Sequence, residues 1–115
     1  MMERRFESRF LCSDLIQVDW AAGAASPRSV EAVLEDISSL GACVQVEESI
    51  PPGAAISMLV PGGETVRFSG HVAYCIYRDF GYFVGIRFSN GTRWSSGIFQ
   101  PMHLTNLRDL VPDDA

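Results

Sequence analysis

Three arginines near the start of the sequence, Arg4, Arg5 and Arg9, are the first candidates for binding an anion. The chain as a whole is acidic, with a formal net charge of −5, so this cluster runs against the general charge. The planar guanidinium group can hold a phosphate or the O6/N7 edge of a guanine through two hydrogen bonds, and its face stacks on rings. The cluster therefore indicates a small anionic ligand. On its own, such a cluster is more often a solvated basic terminus.

A carboxylate and a hydroxyl, Asp36 and Ser38, form a second candidate set, followed by Gly41. Asp and Ser commonly hydrogen-bond backbone amides two positions on, and glycine accepts a positive φ, so the stretch Val33–Val46 predicts a strand, a tight corner and a second strand. Residues two apart on an extended chain point to the same side, so the two side chains share one target. That target is solvent or a ligand. The alternative is a turn that satisfies only its own amides.

Together the two patterns resemble the motifs of the PilZ family, the bacterial receptor domains for cyclic di-GMP. The R-x-x-x-R motif of the family is present as Arg5–Arg9, and the D/N-x-S-x-x-G motif as Asp36–Gly41. The stretch Phe83–Phe88 is similar to the strand of apolar residues, Gly, Arg and Phe that closes the family's barrel. The resemblance covers about residues 4 to 89.

This resemblance implies a cyclic di-GMP site formed by Arg4, Arg5, Arg9, Asp36, Ser38 and Gly41. Arg5 and Arg9 would hold phosphate, the guanine edge or a guanine face. Asp36 would accept hydrogen bonds from guanine N1–H and N2–H, Ser38 would bind phosphate or guanine, and glycine would keep the corner open. Arg4 directly precedes the first motif arginine, and in the family this implies an intercalated ligand dimer.

The function that the resemblance implies is that of a cyclic di-GMP receptor or adaptor that changes its surface and signals to an effector protein. One alternative is a PilZ-like adaptor that binds proteins and no nucleotide. Another is a single-stranded nucleic-acid barrel of the OB type, but the net acidity and the lack of a basic stripe count against nucleic acid. No cofactor is expected. Enzyme activity is not expected either, because Ser38 has no nearby histidine in sequence.

Alternation of apolar and polar residues predicts six strands: Phe10–Trp20, Ser29–Ile37, Ala42–Glu48, Ala55–Val60, Val66–Ile76 and Tyr82–Phe88. The second stretch can also be interpreted as a helix, although its β-branched residues favour a strand. Asp14 and Leu15 break the alternation of the first strand, which indicates a bulge. In the fifth strand, one apolar face is predicted from Val66, Phe68, Val72, Tyr74 and Ile76.

Six strands without a helical crossover predict an all-β fold, a six-stranded antiparallel β-barrel. Beyond it, apolar residues near helical spacing predict a short C-terminal helical segment, with helices at Trp94–Gln100 and Met102–Leu110. The chain is expected to be a single PilZ-like domain over residues 1–115, with a flexible arm at 1–9, the barrel at 10–89 and the helical segment at 92–111.

Composition restricts the compartment and the chemistry. Hydrophobic residues make up 47% of the sequence, which argues against disorder, and no apolar run reaches the roughly 20 residues of a membrane helix. The N-terminus lacks the apolar core of a signal peptide. The cysteines, Cys12, Cys43 and Cys75, form no C-x-x-C pair, and His71 and His103 are far apart. We therefore expect reduced thiols, no metal site, no membrane insertion and a cytoplasmic location.

Overall fold

Strands account for the regular structure in the computed structural model, which describes residues 9–21, 27–61, 64–101 and 105–106. The seven strands are β1 Phe10–Ala21, β2 Arg28–Ser38, β3 Gly41–Val46, β4 Ala55–Val60, β5 Val66–Arg78, β6 Gly81–Phe88 and β7 Thr105–Asn106. The first six correspond to the six predicted strands, and the strand interpretation of Ser29–Ile37 is confirmed. The described residues contain no helix long and apolar enough to cross a membrane.

The six long strands close into an antiparallel barrel, as predicted. Their order is β2-β3-β6-β5-β4-β1, and β1 pairs back onto β2 from Phe10↔Ile37 to Trp20↔Arg28. Closure matters because an open sheet would leave unpaired backbone groups at its edges. Strand β7 adds to the barrel beside the start of β1, opposite Phe10 and Leu11.

The barrel interior is filled by the inward side chains of the strands, together with Ile50 from the β3–β4 connection. The largest fully buried side chains are Phe68, Leu34, Ile37, Ile50, Met58, Val18, Val44, Val60 and Val84. The Phe68 and Phe88 rings stack with their centroids 5.4 Å apart. Burying one such side chain contributes about 1.5–3 kcal/mol, so a slip of one residue in any strand would be strongly unfavourable.

Three register shifts interrupt the alternation. In β1 the shift lies between Leu11 and Asp14, which confirms the predicted bulge. The others lie between Leu34 and Asp36 in β2 and just before Tyr74 in β5. A bulge adds one unpaired residue to its strand. In β2 and β5 the inward and outward faces exchange beyond the bulge, whereas in β1 Cys12 and Ile16, on either side of it, are both buried.

The shift in β5 makes part of the predicted apolar face wrong. Phe68 and Val72 are buried as predicted, but beyond the bulge Tyr74 is 40% exposed and Ile76 is 51% exposed. Cys75 packs against the core in their place. Simple alternation cannot show this, because the added residue at the bulge leaves no mark in the hydrophobic pattern.

The segment after the barrel is a turn and not the predicted helix of Trp94–Gln100. Its turn covers residues 96–98, where the amide of Ile98 donates to the carbonyl oxygen of Ser95 at 2.9 Å. Gly97 lowers helix propensity, and Pro101 disfavours a helical conformation for the residue before it. Of the apolar residues at helical spacing here, Trp94 is buried and Phe99 packs against the core, whereas Ile98 is half exposed.

Trp94 fixes this turn to the barrel. Its amide donates to the carbonyl oxygen of Ser39 at 3.1 Å, its indole Nε1 donates to the carbonyl oxygen of Phe99 at 2.7 Å, and its ring packs edge-on against Phe10.

In the second predicted helix, Met102–Leu110, the two described residues form strand β7. Strand β4 pairs with the end of β1, from Gln17 to Ala21. The start of β1 therefore has no β4 partner, and β7 pairs with it there. The other residues of that prediction lie outside the described residues.

The β5–β6 hairpin has a strained tip. Arg78 pairs with Gly81, and the two residues between them, Asp79 and Phe80, have φ values of 57° and 67°. Two positive φ values in a two-residue loop define a type I′ turn, which favours Asn-Gly or Asp-Gly. A bulky residue in the left-handed region is unusual, and the Phe80 side chain is also almost fully solvated, at 94% exposed.

We expect Phe80→Gly to stabilise the protein, because it produces the favoured Asp-Gly turn and removes only an exposed ring. Relief of the left-handed strain, less the entropy of an added glycine, should raise the free energy of unfolding by about 0.5–1 kcal/mol. Urea denaturation measures this difference. Phe80→Ala is the control, since alanine keeps the strain. A gain equal to that of glycine would contradict the explanation.

Candidate functional site

A groove on the outer surface of the barrel brings the second predicted motif next to the last arginine of the first. It crosses β2, β3, β6 and β5 and has a volume of about 260 Å³. The side chains and backbone that line it include Arg9, Asp36, Ser38, Gly41, Tyr74 and Arg87. Four of these are sequence-predicted site residues. The other two predicted residues, Arg4 and Arg5, lie outside the described residues.

Strand register places these residues in two neighbouring rows. In the first row Asp36 pairs with Cys43, Cys43 with Gly85, and Gly85 with Tyr74. In the second row Ser38 pairs with Gly41, Gly41 with Arg87, and Arg87 with His71. Alternate residues of a strand share a face, so the two rows lie side by side on the outer surface.

The bulge in β2 decides that Asp36 points outward. Leu34 is fully buried, and in a regular strand the residue two positions later would point into the core as well. The register shift between Leu34 and Asp36 breaks this rule, so that Ile37 takes the next inward position. The carboxylate consequently reaches the surface without loss of the core contacts on either side of it.

Arg9 and Asp36 form an ion pair within the groove. Nη2 of Arg9 lies 2.8 Å from Oδ1 of Asp36, with the arginine side chain 50% exposed and the aspartate side chain 18% exposed. The hydrogen bond to the carboxylate raises the pKa of Arg9 further above its usual range. The pair fixes the end of the predicted arm directly over the second motif.

Ser38 makes local hydrogen bonds at the β2–β3 corner. The side chain is buried, its Oγ accepts from the amide of Leu40 at 3.4 Å, and it donates to the carbonyl oxygen of Gly41 at 3.3 Å. Part of the second motif therefore stabilises its own turn, as the alternative interpretation requires. Both distances are long for hydrogen bonds, so a ligand can compete for this hydroxyl.

Gly41 is needed for a close approach between strands. A Cβ atom there would lie 2.4 Å from the carbonyl oxygen of Ile86 on β6, closer than real contacts allow. Its φ is not positive; among the described residues the glycines with positive φ are Gly53 and Gly91. The predicted use of Gly41 for a left-handed turn is therefore wrong. The residue lets β3 and β6 meet beneath the groove.

An aromatic ring that the sequence does not assign to the site forms its far wall. A Cβ atom on Gly85 would lie 2.2 Å from Cε2 of Tyr74, so the ring lies directly on the glycine backbone. The Tyr74 hydroxyl is hydrogen-bonded to the Cys43 thiol. Burial, followed by this hydrogen bond, raises the pKa of Tyr74 to about 12, and burial likewise raises the pKa of Cys43. At neutral pH both groups are therefore uncharged.

Arg87 adds a second guanidinium group to the groove and is exposed. It lies within the Phe83–Phe88 stretch, two residues from Gly85. Residues two apart on a strand share a face, and this spacing could have assigned Arg87 to the face of the groove from the sequence. Tyr74 had no comparable signal, because the bulge before it reverses the face that alternation predicts.

The model of the PilZ domain family matches residues 3–95 of the sequence. The chain belongs to the PilZ domain family. The PilZ barrel is also similar to a solved structure, the PilZ domain with c-di-GMP of YcgR from Escherichia coli, with a TM-score of 0.58 and 18% sequence identity. That likeness covers 76% of this chain and 79% of the other. A search of curated proteins gave no match.

No metal site accompanies the PilZ groove within the described ranges, where no three His, Cys, Asp or Glu side chains are grouped to hold an ion. The three cysteines are free thiols. Among the described residues, the groove offers a ligand the guanidinium groups of Arg9 and Arg87, the carboxylate of Asp36, the hydroxyl of Ser38 and the ring of Tyr74.

We expect the Tyr74 ring to protect Cys43 from alkylation. Tyr74→Ala should expose the thiol, and relief of its burial, the largest cause of its raised pKa, should outweigh the loss of the Tyr74 hydrogen bond, which lowers that pKa. Because the thiolate is the reactive form, alkylation at mildly alkaline pH should accelerate about tenfold or more. Mass spectrometry of peptides after iodoacetamide treatment measures the rate at each cysteine. Tyr77→Ala is the matched control, since Tyr77 is 63% exposed on the same strand. An equal acceleration in both variants would reject this arrangement.

Proposed function

We propose that this PilZ domain is a receptor for c-di-GMP, a cyclic dinucleotide with two phosphates and two guanines. The observation that carries the proposal is the 2.8 Å contact between Arg9 and Asp36, one residue from each predicted motif, within one groove. The c-di-GMP in the similar PilZ domain of YcgR supports the same ligand class. The groups that the described residues bring to the groove are ligand-binding groups, and we propose a receptor without catalytic activity.

Arg9 and Asp36 offer complementary bonds to a guanine nucleotide. Arg9 can donate to a phosphate or to guanine O6 and N7, while the carboxylate can accept from N1–H and N2–H. The ion pair uses Oδ1 of Asp36, so Oδ2 can accept from guanine before the pair is broken. Ser38 adds a hydroxyl for phosphate or guanine at the groove floor.

Tyr74 and Arg87 extend the proposed site beyond the two motifs. The Tyr74 ring packs on Gly85 and the residue is 40% exposed, which suits stacking of a base on the ring. Arg87 can bind the second phosphate or stack on the second guanine. The neutral state of the tyrosine at physiological pH avoids repulsion between a phenolate and the phosphates.

Arg4 and Arg5 complete the proposal from the preceding arm. Arg5 is the first arginine of the R-x-x-x-R motif, and we propose that it binds the phosphates together with Arg9. Arg4 before it favours two intercalated ligands per site. Binding would order the arm against the barrel and alter the surface for an effector protein, in the reducing cytoplasm where three free cysteines are expected to persist.

Replacement of Arg9 by alanine should weaken c-di-GMP binding by about tenfold to a hundredfold, since charge-assisted hydrogen bonds contribute about 1.5–3 kcal/mol. Arg5→Ala should have a similar effect. Isothermal titration calorimetry measures affinity and stoichiometry together. Arg67→Ala is the matched control, because Arg67 is half exposed and lies 4.0 Å from Asp19, away from the groove. Unchanged affinity in Arg9→Ala would reject the proposed site.

Tyr74→Ser should weaken binding through the loss of stacking, which contributes about 1–3 kcal/mol per base, whereas Tyr74→Phe should bind nearly as the wild type does. The same titrations test this. If phenylalanine were as damaging as serine, the hydroxyl and its bond to Cys43, and not the ring face, would be the important feature.

A second candidate function is a PilZ adaptor that binds proteins and no nucleotide. It is favoured by the observation that Arg9 and Asp36 already neutralise each other and that Ser38 is bonded within its own corner. A titration that shows no c-di-GMP binding at about tens of micromolar would favour this candidate if the fold is intact.

A further inference from the structure

An apolar stripe crosses the outer surface of the barrel beside the ligand groove. Register defines it: Leu15 pairs with Val33, Val33 with Gln45, Gln45 with Phe83, and Phe83 with Ile76. Leu15 is 61% exposed and Ile76 is 51% exposed. Four of the five residues in this row are apolar, and Gln45 lies at its centre. Single exposed apolar residues are common on proteins, but apolar side chains from four strands aligned in one row are typical of an interaction surface.

Phe80 stands beside this stripe at the tip of the β5–β6 hairpin. Its ring is 94% exposed, and its backbone is in the left-handed region that a glycine would occupy without strain. Strained residues persist at positions where function requires the side chain. A large, exposed ring in such a position therefore points to a contact outside the chain.

Acidic side chains surround the part of the stripe near Leu15 and Phe80. These two residues line a groove of about 380 Å³ together with Glu31, Glu47 and Glu48. Glu48 is neutralised by Arg28 through bonds of 2.7 and 2.8 Å. Neither Glu31 nor Glu47 has an ion-pair partner among the residues that the structure describes. Apolar groups with uncompensated carboxylates match a ligand that carries apolar and basic groups together.

At the far end of the stripe the charge is different. The guanidinium carbon of Arg78 lies 4.9 Å from the centre of the Phe83 ring and covers one face of it. Basic groups of a ligand should therefore bind at the acidic groove near Leu15 and Phe80, and not at the end of the stripe that Arg78 covers. The apolar residues Phe83 and Ile76 continue from the acidic groove toward the ligand groove.

We propose that the stripe and its acidic groove form the docking surface for a protein partner, through a segment that combines aliphatic or aromatic side chains with lysine or arginine. This inference rests on the proposed function, in which an effector protein binds the domain, and it states the chemical class of the effector segment that binds. The stripe is the row next to the ligand row: Ile76 is two residues from Tyr74, and Phe83 is two residues from Gly85. A partner on the stripe would therefore contact the edge of a ligand in the groove.

The test is selection of displayed random short peptides on the immobilised full chain, followed by fluorescence anisotropy with the selected peptides. We expect enriched sequences that contain both apolar and basic residues. Phe80→Gly and the double variant Glu31→Lys, Glu47→Lys should each weaken their binding by about tenfold or more, as for a central interface residue. Phe80→Gly is informative because this change should not destabilise the fold.

Matched controls lie on other surfaces. Ile98→Ser removes an apolar side chain that is 49% exposed in the turn after β6, and Glu64→Lys reverses an exposed charge before β5. Both should bind the selected peptides as the wild type does. Enrichment of acidic or purely polar peptides, or equal binding by Phe80→Gly, would overturn the proposal. A concentration-dependent dimer that Phe80→Gly abolishes would assign the stripe to self-association and would overturn it too.

Titration of c-di-GMP into Phe80→Gly separates this proposal from the receptor function. Wild-type ligand affinity with lost peptide binding supports the docking surface. Wild-type ligand affinity with no selectable peptide rejects the docking surface alone. Selected peptides that bind a chain without c-di-GMP affinity reject the receptor function alone.

Discussion

The register shift in β2 is the constraint on which the candidate site depends. Two buried residues, Leu34 and Ile37, are three positions apart, and regular alternation cannot place both in the core. The bulge between them satisfies both and leaves Asp36 at the surface opposite Cys43. The core therefore fixes the position of the carboxylate, because a slip that turned it inward would expose apolar side chains and bury a charge. A flexible loop could not hold the carboxylate as firmly.

The ion pair between Arg9 and Asp36 is suited to exchange with a ligand. One partner is half exposed, and such pairs contribute only about 0–1 kcal/mol to stability because water and salt screen them. A phosphate or a guanine edge could consequently replace part of this contact at little cost in free energy. The fold depends on the buried strands and not on the pair, which separates the stability of the barrel from the binding properties of the groove.

The sequence predicted the strands well because alternation reports directly on burial. It predicted that Arg9 and Asp36 lie close to each other, at one ligand site, only through the family resemblance, since nothing local connects positions so far apart, and it did not predict their ion pair. The failures at Tyr74 and Ile76 have one cause, a bulge whose added residue is chemically ordinary. At Trp94–Gln100 the apolar spacing is present, but Gly97, Pro101 and the hydrogen bonds of the Trp94 amide and indole favour a turn. The structural need for Gly41 is the close approach of β6 and not the predicted positive φ, because its neighbour across the sheet cannot be identified from a single strand.

The bulge before Tyr74 also gives the two proposed functions a common surface. Beyond it Tyr74 and Ile76 both point outward, and two residues of a strand span only about 7 Å. A dinucleotide on Tyr74 would itself form part of the surface that a partner on Ile76 and Phe83 contacts, and its phosphates would add negative charge at the end of the stripe where Arg78 covers Phe83. The two sites can then be coupled by direct contact, without a rearrangement of the barrel. By linkage the coupling is reciprocal, so a partner that binds the loaded receptor more tightly must raise the affinity for the dinucleotide by the same factor.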